Sequence, residues 1–594
     1  MKKIFILYTC IATLFTLVSC KKSFKDFLNK APGVDVNEDV IFSSRANVES
    51  EISTMYYMGI ISVLPFRDAA SQASPTGTSS SIFGTMAGAT DEAENEANFV
   101  HAIRWNTAGI IPSNIIANED NVYFTRFKAI RYANILLERI DGVKDPLADK
   151  GYKTQVKGEA RFIRALSHFE AFKRYGGVPI IDKRFANIDE AKLPRATVEE
   201  LVNFIVKDCD SAVAYLPVAY TTSQRGRATK MAALALKSRL LLYAASPLFN
   251  TASPYLNMAN PVDNKLICYG NTDNNRWKLA LDAAKAVLDS ASAASVALID
   301  VPANRDPVNL LTGNYRVAWE LQDNSEVIIA DKRYARLNRF NFPWYHLIPT
   351  PMGSFWVSNT ATHNFVRKYE KKNGTPQTWL AAGGDDLVTK YNELDPRFKQ
   401  TVGYNGGRWN AEYPIIETFT GGRHAGNCFG GAWVLKHVPE ALANGGSAVP
   451  GIALFRLNEF YLNYAEALNE FEGPSTAVDN AVNIIRTRSG MPPISSTGLS
   501  QGQLRARIRN ERDIELAFED HRFWDIRRWM IAEQDGVMQG NMYGIRITKL
   551  AGTAFRYVPY VIETRTFNRN MYLHPFDENE VLKSNGLLVQ NPGY

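Results

Sequence analysis

Residues 510–519 read Asn510-Glu511-Arg512-Asp513-Ile514-Glu515-Leu516-Ala517-Phe518-Glu519. After Asp520 the chain continues His521-Arg522-Phe523-Trp524-Asp525-Ile526-Arg527-Arg528-Trp529. Glu511, Glu515 and Glu519 recur every four residues, a spacing that lines them up on one face of a helix. Arg512, Arg522, Arg527 and Arg528 stand beside them. Two readings fit this density of charge, an anion site or a salt-bridged helix that supports a scaffold. Either way the spacing predicts a helix over 504–518.

Working outward, the same helical spacing recurs. It predicts helices over 157–175, 197–216, 229–245, 277–288, 455–471 and 477–488. The boundaries carry their own signals. Gly176-Gly177-Val178-Pro179 stops the first, and Thr197 with Glu200 three residues on forms a capping box for the second. Small contact residues, bulky aromatics and helices arriving in pairs suggest tetratricopeptide-type hairpins, with long insertions between them. Gly, Pro, Asn and aromatics concentrate at about 60–120, 290–450 and 530–594, leaving the helical scaffold mainly at 120–290 and 455–530. Short apolar runs such as 326–330 and 432–435 read as isolated strands, too sparse for a large sheet.

Composition narrows the function. The 594 residues hold 67 Lys plus Arg against 61 Asp plus Glu, a net charge of +6, with no block of five like charges. A nucleic-acid binder would concentrate its basic residues, so that class is disfavoured. At 45% hydrophobic and 22% charged residues the chain is globular. The 26 Tyr and 10 Trp leave enough rings for exposed platforms as well as core. Met1-Lys2-Lys3 followed by the apolar 4–18 reads as a signal peptide over 1–19. It ends in Leu17-Val18-Ser19-Cys20, with Leu at −3 and a small residue at −1, the pattern of a bacterial lipobox; Cys20 is then the lipidated first residue of the mature chain 20–594. Cys209, Cys268 and Cys428 remain, widely spaced and without a CxxC, so no zinc site or disulfide framework is indicated.

Several further motifs carry a resemblance. Ala89-Thr90-Asp91-Glu92-Ala93-Glu94, Gly158-Glu159-Ala160-Arg161-Phe162-Ile163-Arg164-Ala165 and Tyr175-Gly176-Gly177-Val178-Pro179 lie in the N-terminal half. Gly226-Arg227-Ala228-Thr229-Lys230 and Ala244-Ala245-Ser246-Pro247-Leu248-Phe249-Asn250 follow. Asn463-Tyr464-Ala465-Glu466-Ala467-Leu468-Asn469-Glu470, Ile485-Arg486-Thr487-Arg488-Ser489-Gly490-Met491-Pro492 and the 510–529 stretch complete the order. With these motifs the chain resembles the SusD/RagB family of outer-membrane nutrient-binding lipoproteins along nearly all of its mature length. The resemblance implies a mainly α SusD-like fold, with four tetratricopeptide-like helix pairs and a loop-rich, irregular ligand-binding region. It implies a lipid-anchored protein at the outer membrane, facing the exterior, that binds a glycan and passes it to a SusC-like TonB-dependent transporter. Because 510–529 belongs to the family's scaffold signature, the salt-bridge reading of its charges is the expected one.

Within this frame the carboxylate cluster Asp91, Glu92, Glu94 and Glu96 reads as a helix start, with Asp91 as N-cap and Glu94 at N3. No HExxH, GxSxG or phosphate loop occurs, and His101, His346, His424 and His437 are scattered. Neither an enzyme, a metal site nor a cofactor is therefore expected. Trp277, Tyr464, Trp524 and Trp529 lie on helical faces and read as core. Trp105, Trp344, Tyr345 and Trp356 lie in polar loops, where a ring can stack on the apolar face of a sugar. Arg67, Asp68 and Asn106 stand beside them as hydrogen-bonding partners. Peptide or glycopeptide cargo on the same scaffold is the alternative, and a lipid-anchored glycoside hydrolase is the more distant one.

Overall fold

The computed structural model describes residues 38–60, 86–95, 102–118, 120, 122–187, 189–221, 224–332, 336–340, 344, 359–425, 428–450 and 452–594. Cys20 and its lipobox lie outside the described residues, as do Arg67, Asp68, Tyr345 and Trp356.

Helices dominate. In chain order they include α1 (Arg45–Gly59), α2 (Tyr123–Arg139), α3 (Lys150–Tyr175), α4 (Val198–Tyr215), α5 (Lys230–Ala245) and α6 (Asn275–Ser290). After a long excursion come α7 (Leu457–Glu472), α8 (Thr476–Arg488), α9 (Gln501–Glu515) and α10 (Arg522–Arg528). From α1 to α8 each helix packs on the next, giving four successive pairs of tetratricopeptide type. The ends are set locally. Thr197 and Glu200 form both halves of the capping box on α4. Gly176 ends α3 at φ +75°, where a Cβ would meet the Leu266 carbonyl oxygen at 2.8 Å. Apolar residues on nearly every side of α3 and α5, among them Phe162, Ile163, Leu166, Phe169, Leu236 and Leu240, fill one continuous core.

The longer strands are β1 (Ala93–Asn95), β2 (Val327–Asp331), β3 (Asn359–Ala361), β4 (Val402–Tyr404), β5 (Ala432–Val434), β6 (Ile452–Arg456), β7 (Gly540–Lys549) and β8 (Phe555–Arg565), and the two-residue strands Leu337–Asn338 and Ser447–Ala448 pair with each other. β1-β3-β5-β4 form an antiparallel sheet, β2 pairs with β6, and β7 with β8 make a hairpin bulged between Val561 and Glu563. The hairpin is fixed to the sheet by the Ile545 amide, which donates to the Gly430 carbonyl at 2.9 Å. Residues 452–456, the last two of which fell within the helix predicted over 455–471, are strand instead. The backbone of Arg456 is extended, and pairing with Val327 holds it so.

The charges of 510–529 are scaffold, and apart from Arg528 with Asp525 at 2.7 Å they pair outside their own helix. Glu511 accepts from Arg397 at 2.6 Å and from Arg486 at 2.8 Å. Glu515 accepts from Arg488, from Arg397 at 3.0 Å and from Asn458 at 2.8 Å. Glu519 lies beyond the helix, past Phe518 at φ +61°, and binds Arg456 and Lys436. Arg528 grips Glu466 with both terminal nitrogens, at 2.6 and 2.7 Å. Burial pushes the Glu515 carboxyl up, yet Arg488, Arg397, Arg456 and Lys436 outweigh it and hold it at about 2. These ion pairs weld the C-terminal helices to the excursion between α6 and α7.

Candidate functional site

Three stretches outside the described residues, 61–85, 96–101 and 345–358, carry four of the candidate ligand residues or flank them. The described residues at their ends converge. The turn Met86–Ala89, β1 and the short helix Ala102–Asn106 pack together around one point. β1 pairs with β3 in the register Ala93↔Ala361, Glu94↔Thr360 and Asn95↔Asn359. Asn95 precedes 96–101 and Asn359 follows 345–358, so these two stretches are rooted side by side. The Asn95 side-chain amide is buried and, among the described residues, makes no hydrogen bond. A Cβ on Gly88 would fall 1.9 Å from its nitrogen, which requires glycine there.

Behind this root lies a buried polar cluster. Arg565 donates to Glu94 at 2.5 Å, to Glu563 at 2.7 Å and to the Thr90, Gly88 and Ala93 carbonyls. Burial raises the Glu94 carboxyl; Arg565 opposes this, the hydrogen bond with Glu563 adds to it, and the result is about 8. Glu96 lies outside the described residues; Asp91, Glu92 and Glu94 are held in ion pairs and hydrogen bonds, but not as a helix start. Residues 93–95 are strand, and each acid turns to a different partner. Asp91 pairs with Arg522 at 2.7 Å and Lys368 at 2.8 Å, while Glu92 accepts from the Phe518 amide at 3.0 Å.

Trp105 and Trp344 do not present loop rings to solvent. Trp105 is 1% exposed; its ring meets Phe523 edge-on at 5.0 Å and lies 4.9 Å from His574. Its polar neighbours in sequence suggested a surface, but the short helix turns the ring inward against α10. Trp344 is 2% exposed, packs with Trp409, Trp433 and Leu435, and donates from Nε1 to the His437 carbonyl at 3.1 Å. The Asn106 amide donates to Gly88 O at 3.0 Å and to Glu563 at 2.8 Å, so it braces the root. Trp524 and Trp529 are core, as their helical spacing suggested.

The structure also contains an open cleft of about 740 Å³ that the sequence did not signal. Its base is the set Asp91, Asp513, Arg522 and Lys368. Each acid contacts both cations, at 2.7 to 3.0 Å. One wall is His363 with Arg367, a second is Arg509 with Asn510 on α9, and a third comes from Asn541 and Tyr543 on β7. His363 stacks on Trp379 with centroids 5.5 Å apart and planes 15° from parallel. Burial, and then Arg367, pull its imidazole down to about 3, so it is neutral at ordinary pH. The residues come from four distant segments, and only folding brings them together. Among the described residues no group of three His, Cys, Asp or Glu is placed to hold a metal ion, and no helix is long and apolar enough to cross a membrane.

Comparison with known proteins covers both halves. Residues 26–242 match the family model described as "Starch-binding associating with outer membrane", and residues 323–594 match the model described as the SusD family. A SusD-like protein of Formosa agariphila is 25% identical over 448 residues, 71% of this chain and 75% of that one. One of Bacteroides ovatus is 21% identical over 453 residues, 72% and 68% of the two chains. The crystal structure of a SusD-like protein from Bacteroides fragilis superposes with TM-score 0.73 at 25% identity, covering 95% of this chain and 100% of that one. A SusD-like carbohydrate-binding protein from the same species, at 20% identity and TM-score 0.67, covers 92% and 99% and shares the fold.

Proposed function

This chain belongs to the SusD/RagB family, and from that premise we propose that it captures oligosaccharide or polysaccharide fragments and passes them to a SusC-like TonB-dependent transporter. Cys20 carries the lipid that holds it to the outer membrane, facing the exterior. The family description, starch-binding and associated with the outer membrane, supports both the ligand class and the compartment.

The observation that carries the reading is the register Asn95↔Asn359. It sets Asn95, the last described residue before 96–101, beside Asn359, the first after 345–358, and the Met86–Ala89 turn, which follows 61–85, packs against the same strand. Arg67, Asp68, Tyr345 and Trp356 belong to these adjoining stretches. Rings from these stretches stack on the apolar C–H faces of sugars, and the Arg and Asp side chains bind hydroxyls. Trp105, Trp344 and Asn106 serve the site from behind, as the packed support that holds its root still.

The reading is one of binding without bond chemistry. Glu94 and Glu563, two neighbouring carboxyls at the root, are both tied to the buried Arg565. A glycan array with the purified mature protein tests the ligand class, and incubation with the bound oligosaccharide tests the absence of turnover. Isolation of the protein from membranes with a β-barrel transporter tests the hand-over. Turnover of the bound sugar, or an array on which no glycan binds, would overturn the proposal.

A further inference from the structure

We infer that the 740 Å³ cleft is a second saccharide site, one that takes a sugar bearing a carboxylate or a sulfate ester, with the anion held between Arg367 and Arg509. For the sugar part of the ligand it rests on the glycan-binding reading above; for the anion it rests on the cleft alone.

The place is separate from the root of the loops. β1 and β3 run antiparallel, with Asn95 and Asn359 at one end of the pair. At the other end the Thr362 amide donates to the Glu92 carbonyl at 3.1 Å, next to Asp91 and His363, which line the cleft. Asp91 and Glu92 form the turn at that end, and the strand Ala93–Asn95 runs away from it toward the root. The volume falls within the range of small-molecule pockets, about 300–1,000 Å³.

The charges decide the ligand. At the base, two acids and two cations contact one another in full and cancel. Arg367 and Arg509 are different: among the described residues neither forms an ion pair. Arg367 is exposed at the mouth. Arg509 is half-buried, fixed over the face of Trp529 at 4.5 Å, and its Nε is buried without a hydrogen bond. The remaining acid of the lining, Asp535, is exposed. Glu466 and Glu470 act on the Arg509 charge from nearby but are tied to other arginines, Arg528 and Arg505. A guanidinium held in place without a direct ion pair is matched by a planar carboxylate or a sulfate, each of which accepts two parallel N–H donors.

The rest of the lining suits hydroxyls. His363 is 6% exposed, its Nδ1 has no partner, and stacking on Trp379 fixes its ring. Burial beside Arg367 keeps the imidazole neutral, so it offers a hydrogen bond without adding charge. Gln377, Gln534 and Asn510 add amides on the facing walls. An anion surrounded by hydroxyl partners describes a uronic acid or a sulfated sugar.

The test is calorimetric titration of the purified mature chain with three probes: a galacturonic acid trisaccharide, a sulfated carrageenan tetrasaccharide and neutral maltotetraose. At least one acidic probe should bind, and more weakly as NaCl is raised. Arg367→Gln should weaken it about tenfold or more without moving the melting temperature, and Arg509→Gln should do the same with some loss of stability. Which acidic probe responds tells carboxylate from sulfate. Trp356→Ala should leave acidic binding intact. The inference fails if neither acidic probe binds, if Arg367→Gln binds as wild type, or if Trp356→Ala abolishes acidic binding. Binding of maltotetraose alone would sink the cleft site while leaving the proposed function standing; binding of no saccharide would sink both.

Discussion

α9 carries charge on two faces, and the two faces end differently. Toward the excursion between α6 and α7, Glu511 and Glu515 are buried and each accepts from two or more cationic side chains. Toward the cleft, Arg509 has a ring beneath it and, among the described residues, no direct ion pair, its nearby acids Glu466 and Glu470 being held by Arg528 and Arg505. Residue types are alike on both faces; what differs is whether the fold supplies the partner. A buried charge survives only when paired. A fixed charge left unpaired at a cleft is available to a ligand. Each experiment below either breaks the paired side or shows that the unpaired side is not structural.

The largest effect should come from Arg488→Ala. It leaves Glu326 and Glu515 buried without their shared cation, and breaking such a network costs about 3–5 kcal/mol. Denaturant unfolding should show the midpoint fall by that equivalent; an unchanged midpoint would mean that the network is solvated. Trp105→Ala should cost about as much, 3–5 kcal/mol, as a core cavity, whereas a ring serving only sugar would leave the midpoint alone. Leu166→Ala, at the centre of α3, should cost about 2–5 kcal/mol.

A smaller effect separates the root of the loops from the ion network by pH. Glu94 has its carboxyl raised to about 8 from 4.5, chiefly by burial. The folded chain thus holds a proton that the unfolded chain releases, and the associated stability is full below about pH 4.5 and lost as pH rises through 8. Glu515 and Glu466 are lowered to about 2 by their arginines, against burial. Their contribution is present above 4.5 and lost as pH falls toward 2. Glu92 is likewise raised to about 8 by burial, so Glu94→Gln should reduce, and not abolish, the fall in melting temperature between pH 5 and 8 and leave the acid limb in place. A variant that keeps the whole alkaline slope would assign it to another group. Least of all, Arg367→Gln should move stability by no more than about 0.5 kcal/mol, as a surface change does; a larger loss would put Arg367 on the paired side.

The helices were legible because their signals are local. Thr197 with Glu200, and Gly176 with Pro179, mark ends within a few residues, and apolar spacing marks the buried faces between them. What failed depended on partners far along the chain. Asp91 and Glu94 have the spacing of a helix start, but β3 and Arg565, more than 250 residues away, draw this stretch into a strand. The β7–β8 hairpin was hidden by Pro559, which sits in its second strand and ordinarily argues against one. Trp105 and Trp344 stand among polar residues in sequence, and only α10 and the small sheet show that their rings face inward. The charges of 510–529 were read as scaffold and are paired in the structure, although most of their partners lie across the fold or on the next helix and only Asp525 and Arg528 are one helical turn apart. The cleft could not have been read at all, because no two of its walls are neighbours in sequence.

The most direct test of the glycan-capture account is calorimetric titration of a panel of neutral oligosaccharides into the wild-type mature chain and into Tyr345→Ala and Trp356→Ala. The account predicts saturable binding of at least one saccharide, no release of reducing ends, and a loss of about tenfold in affinity on removing a stacking ring, about 1.4 kcal/mol, with melting temperature unchanged. Wild-type affinity in both variants, or cleavage of the bound sugar, would contradict it.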